Sequence, residues 1–149
     1  AKKKLFIGAL DIKSGKTFYF DSGDLVPILL GSCALPGIFE PIRYKEYLLI
    51  DGGITNNLPA EPLLSMDGML VGVDVNPSEQ VEKIRNIFHL LVRSFLLAVR
   101  SNVDKRKELC HVVIEPDLFK YSPLSLLKAD EIYRLGYEKT MQVLRPYVQ

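Results

Sequence analysis

Leu48-Leu49-Ile50-Asp51-Gly52-Gly53-Ile54-Thr55-Asn56-Asn57-Leu58-Pro59 is the stretch from which the rest of the chain can be ordered. Tyr47 to Ile50 is a short apolar, β-forming run, and Asp51-Gly52-Gly53 breaks it. An acidic residue directly after such a strand sits where the carboxyl edge of a sheet presents groups to a crevice. Two following glycines allow positive φ and the close approach of another group, which a carboxylate acting as a base needs around it. The same triplet also reads as a tight turn in which Asp51 caps the backbone, because Asp and Gly dominate turns for ordinary conformational reasons.

Working outward, Pro41 to Tyr44 is an extended run on the other side of Lys45-Glu46. Upstream, Leu5 to Ile12 and Thr17 to Phe20 flank the turn residues Ser14-Gly15-Lys16 and predict a hairpin. Asp21-Ser22-Gly23-Asp24 offers capping side chains to a helix that starts at Leu25, carries Pro27 in its first turn and ends before Pro36-Gly37. Downstream, Pro59 and Pro62 bracket a short helix to Ser65, and Met69 to Val75 is an apolar run suited to a strand buried on both faces. Residues 79 to 108 read as helical, with Ile84, Phe88, Leu91, Phe95 and Ala98 on one face. His111 to Glu115 is a further strand. Asp130 to Val148 is a final helix whose apolar side holds Ile132, Leu135, Met141 and Leu144. Strands alternating with helices predict an α/β layer fold.

The 149 residues are 48% hydrophobic and 25% charged, with 19 Lys+Arg against 18 Asp+Glu, which is the composition of one globular domain with a real core. A net charge of +1 gives no electrostatic footprint for nucleic acid, and the cluster Ala1-Lys2-Lys3-Lys4 is too short to supply one. Cys33 and Cys110 stand in no paired motif, so neither a disulfide framework nor a metal site is expected and a reducing compartment is the default. Ile87 to Val99 contains His89, Arg93 and Ser94 and is too short to span a bilayer. Asp11 ends the apolar run after Lys2 to Lys4, so no signal peptide is read. His89 and His111 fall in no catalytic pattern and are expected to be structural.

Ser32-Cys33-Ala34-Leu35-Pro36-Gly37-Ile38-Phe39-Glu40-Pro41, followed by Leu48 to Pro59, resembles the carboxyl-terminal half of the patatin-like phospholipases. That family carries an A/G-S-x-A-x-P-x-x-F-x-P segment, then an aspartate in a D-G-G or D-G-A turn, an N-x-P stretch and a buried strand like Val71-Gly72-Val73-Asp74-Val75. The resemblance extends from Leu10-Asp11-Ile12 to Gly136-Tyr137-Glu138. It implies a three-layer α/β/α sandwich, incomplete at the amino-terminal side, with residues 1–149 as the carboxyl-terminal portion of a single domain. The chemistry it implies is acyl-ester hydrolysis by a Ser-Asp dyad, with phospholipid or other fatty-acyl esters as substrates and no cofactor. Asp51 would be the general base, Gly52 and Gly53 would shape its turn, and Ser32, Pro36, Phe39 and Asn57 would lie near it.

The family's nucleophile sits in a G-x-S-x-G elbow, which this chain lacks: the only glycines four apart are Gly68 and Gly72, with Leu70 between them. Ser32 matches the family's downstream serine and not the elbow. The chain is therefore expected to be the Asp-bearing part of an esterase, inactive alone. The alternative is a non-catalytic interaction module retaining part of the fold. Self-association, or association with the missing amino-terminal half, is expected from the unsatisfied surface, including Leu90, Leu96 and Leu97. Arg100, Lys105, Arg106 and Lys107 suggest peripheral membrane contact by a protein that is otherwise cytoplasmic.

Overall fold

The computed structural model describes residues 3–75, 83–121 and 128–147. Ile7–Asp11 (β1) and Tyr47–Asp51 (β4) form the centre of a sheet, antiparallel to each other, with Ala9 opposite Asp51, Leu10 opposite Ile50 and Asp11 opposite Leu49. Lys16–Phe20 (β2) pairs with β1 through the expected hairpin, and Ile42–Tyr44 (β3) pairs with β4, giving the order β2-β1-β4-β3. Lys45 takes a φ of 52°, the left-handed conformation that a two-residue hairpin turn asks of its first position.

Leu25–Ser32 (α1) starts where the sequence places it and lies across β1, β3 and β4. The capping expectation is not met: Asp24 makes no side-chain cap, and its N–H instead donates to the Tyr44 hydroxyl (3.2 Å). Strand alternation puts Ile7, Ala9 and Leu49 on one face, where they pack with Ile28 of α1 and with Tyr44. Leu10 and Ile50, partners on the opposite face, are buried as well. Leu49 is fully buried, so Leu49→Ala is expected to cost about 2–5 kcal/mol, read as a lower urea midpoint.

Asp11 closes the other end of this sheet. Its carboxylate accepts from the Ser14 hydroxyl (2.6 Å) and from the backbone N–H groups of Leu48 (2.9 Å), Ser14 and Lys13. The Ser14 hydroxyl foremost, with the Leu48 N–H behind it, holds the Asp11 pKa down at about 2. A depressed carboxylate stabilises the fold above its unfolded pKa and loses that contribution as pH falls through the folded value. Stability should therefore decline from about pH 4 toward 2, and Asp11→Asn should flatten that decline in acid titrations followed by circular dichroism.

Val71–Val73 (β5) and Val112–Ile114 (β6) form a separate parallel pair. The run from Met69 is not buried on both faces as expected: Gly72 is buried but Val73 is half exposed, although its pairing partner Ile114 on the same face is buried. The short helix before Ser65 is reduced to a 3-10 turn, Glu61–Leu63. The single helix expected over 79–108 is two, Ile87–Arg100 (α2) and Val103–Lys107 (α3); positions 79–82 lie outside the described residues. Asn86 sets the first boundary by accepting from the His89 N–H (2.8 Å), and Ser101 marks the second by donating its hydroxyl to the Ala98 carbonyl (2.8 Å). Ala129–Leu144 (α4) ends in a 3-10 turn to Tyr147, and Val148 lies outside the described residues. Helices and strands are mixed throughout, the α/β class expected from the sequence.

Of the apolar face expected along residues 79 to 108, Ile84, Leu91 and Phe95 are exposed. Arg100 pairs with the buried Asp74 (3.0 Å), which also pairs with Lys107 (2.8 Å). Of the basic cluster read as a membrane contact, Arg100, Arg106 and Lys107 are thus engaged by acids, Arg106 through Glu61 at 2.6 Å. Among the described residues no helix is long and apolar enough to cross a membrane.

Candidate active site at Asp51

Asp51 is the last residue of β4, and alternation places its side chain on the α1 face of the sheet, as for Ala9 and Leu49. Its own N–H donates to the Ala34 carbonyl (3.0 Å), which ties the chain just after α1 to the end of the strand. Ala34, two residues after Ser32, is thereby held against the backbone of Asp51. Within it Ser32 is half-buried, Ala34 is buried, and Pro36 and Phe39 are exposed.

The carboxylate itself is half-buried. Its Oδ1 accepts from the Gly53 N–H (2.8 Å), which caps the 3-10 turn Gly52–Ile54. The capping reading is therefore correct as geometry, and it uses one oxygen. No basic side chain is paired with Asp51 among the described residues. Burial pushes its pKa above the ordinary carboxylate value, and the Gly53 N–H pulls part of the way back. A partly desolvated carboxylate with an uncommitted oxygen is a stronger base than a solvated one.

Of the two properties expected of the glycines, close approach is the one the structure uses. Neither Gly52 nor Gly53 has positive φ. A Cβ on Gly52 would sit 2.6 Å from the Gly8 carbonyl oxygen and 2.7 Å from its carbon, so Gly52 is what lets the turn press on the β1 backbone. A Cβ on Gly53 would meet Asn57 Oδ1 at 2.7 Å and Asp51 Oδ1 at 3.0 Å. That proximity places Asn57 next to the turn.

Sequence reasoning missed Asn56. It is buried, whereas Asn57 is only half-buried. Its Nδ2 donates to the Tyr19 hydroxyl and to Glu61 Oε2 (2.7 Å), and its Oδ1 accepts from the Leu58 N–H (3.2 Å). The tandem asparagines before Leu58-Pro59 were the available signal, but tandem residues do not say which side chain turns inward. Both histidines bond to backbone: His111 Nδ1 accepts from the Leu70 N–H (2.9 Å) and His89 Nδ1 from the Arg85 N–H (3.2 Å). Among the described residues no group of His, Cys, Asp and Glu could hold a metal.

Residues 8–64, which contain the whole Asp51 site, match the patatin-like phospholipase family. An uncharacterised NTE family protein of Mycobacterium tuberculosis is 36% identical over 72 residues, or 48% of this chain and 20% of that protein. Another, of Mycobacterium bovis, is 24% identical over 157 residues, 88% of this chain and 27% of that protein. The lysophospholipase NTE1 of Meyerozyma guilliermondii is 22% identical over 161 residues, 90% of this chain and 11% of that protein. The chain thus spans between 11% and 27% of the lengths of these relatives.

Proposed function

We propose, from the patatin-like phospholipase family that these matches support, that the chain is the aspartate-bearing part of a serine hydrolase of fatty-acyl esters. The substrate class is phospholipid or lysophospholipid, in keeping with the name of the Meyerozyma relative, a lysophospholipase. One observation carries the reading: a half-buried carboxylate at a strand end, bonded to a single backbone N–H and raised in pKa by burial. Asp51 takes the proton of a serine hydroxyl as its oxygen attacks the acyl carbonyl, and returns it to the departing alcohol oxygen. Residues 1–149 contain no G-x-S-x-G elbow, so that serine is supplied from outside them.

The test is to label the full-length protein with a fluorophosphonate and map the modified peptide. A labelled serine in a G-x-S-x-G sequence outside residues 1–149, together with release of fatty acid from lysophospholipid micelles, is the expected result. A label on Ser32 would overturn the assignment of roles.

The exposed faces of α1 and α2 favour a second reading, a non-catalytic interaction module. Leu25, Val26 and Leu30 on α1 and Ile87 and Leu91 on α2 are all at least half exposed. Under the catalytic reading these faces meet the remainder of the domain or a second copy. A full-length protein with no labelled serine would favour the module.

A further inference from the structure

The turn that carries Asp51 is fastened by side chains far from it in sequence. Asn56 N–H donates to the Gly52 carbonyl (2.9 Å), and Gly53 N–H donates to Asp51 Oδ1, so the Asn56 backbone is one short turn from the carboxylate. The Asn56 amide uses both of its donor hydrogens and its acceptor oxygen on Tyr19, Glu61 and Leu58. That pattern permits one orientation of the amide, because the Leu58 N–H requires oxygen and the Glu61 carboxylate requires nitrogen. Glu61 is held in turn by Arg106 Nε, and Arg106 donates to the Asn102 carbonyl (2.9 Å). A second tie from β2 joins the hydroxyls of Thr17 and Thr55.

We propose that Asn56 is a positioning residue for Asp51, acting through the Gly52–Asn56 turn, and that the Glu61–Arg106 pair fixes its amide. The proposal rests on Asp51 being the general base. Arg106, which the sequence offered as a membrane-facing charge, then belongs to the support of the active-site turn. Asn56 is buried and its partners Tyr19 and Glu61 are half-buried, so loss of one donor leaves a partly desolvated group short of a bond.

The test uses the full-length protein and three variants: Asn56→Asp, Asn56→Asp with Glu61→Gln, and Asp51→Asn. Asn56→Asp sets a carboxylate against Glu61. It should lower kcat about 10- to 100-fold through misplacement of the base, leave KM unchanged, and move the acid limb of the kcat/KM profile. Adding Glu61→Gln restores a donor toward position 56 while its carbonyl still accepts from Arg106, so it should recover most of kcat and return the acid limb. Folding is checked by a cooperative thermal transition. Wild-type kcat and pH profile in folded Asn56→Asp would overturn the proposal, as would a folded double variant with no recovery where the single variant is impaired or unfolded. Wild-type activity in Asp51→Asn would instead remove the reading on which the proposal rests.

Discussion

Asp51→Asn is expected to lower kcat/KM for ester hydrolysis by the full-length protein about 100- to 10,000-fold, the usual worth of a positioned general base. The same substitution should leave the fold as stable as before near neutral pH, or more so. Asn retains an oxygen for the Gly53 N–H, which is 2.8 Å from Asp51 Oδ1. It removes a charge that burial disfavours. The sign follows from linkage: burial raises the folded pKa of Asp51, so the folded state binds the proton more tightly than the unfolded chain does. The stabilising contribution of the protonated form is complete below the unfolded pKa and is lost as pH rises through the folded one. The wild type therefore carries a cost above that value which Asn does not. A large loss of activity without loss of thermal stability separates a catalytic carboxylate from one that merely caps a turn.

Gly52→Ala is expected to be the most damaging single-methyl change in the site. The three nearest atoms its Cβ would meet all belong to β1 backbone: Gly8 O at 2.6 Å, Gly8 C at 2.7 Å and Ala9 N at 3.0 Å. None can rotate away, so either the turn lifts from β1 or the β1–β4 pairing gives. Overpacking of this kind costs about 1–3 kcal/mol and sometimes more. A fall in the urea midpoint of that order should accompany loss of activity, because the displaced turn carries the Asp51 carboxylate. Gly53→Ala meets side-chain atoms of Asn57 and Asp51. Those can move, so its effect should fall more on activity than on stability.

Much of this was legible in the sequence where local chemistry decides. The turns at Ser14-Gly15-Lys16 and Lys45-Glu46 mark both hairpins, and Pro27 marks the first turn of α1. Asp51 at the end of an apolar run is the strand-end carboxylate that the reading required. What was not legible depends on partners distant along the chain. The role of Gly52 is set by β1, which reaches it only when β4 pairs beside it. Glu61 and Arg106 lie 45 residues apart, and no spacing rule connects them. The helical pattern from 79 to 108 continued across a real break because apolar periodicity does not register the competition of Asn86 and Ser101 for backbone groups. Leu91 and Phe95 of α2 read as core-facing from their spacing, yet both are exposed, and it is Arg100 at the end of the helix that reaches the buried Asp74.

The measurement that tests the central claim most directly is the pH dependence of kcat/KM for a soluble short-chain ester with the full-length protein. A partly buried general base at position 51 predicts a rate that rises with pH through one ionisation above the ordinary carboxylate range, and a rise that disappears in Asp51→Asn. The same ionisation persisting in Asp51→Asn with an undiminished rate would contradict the assignment of Asp51 as the base.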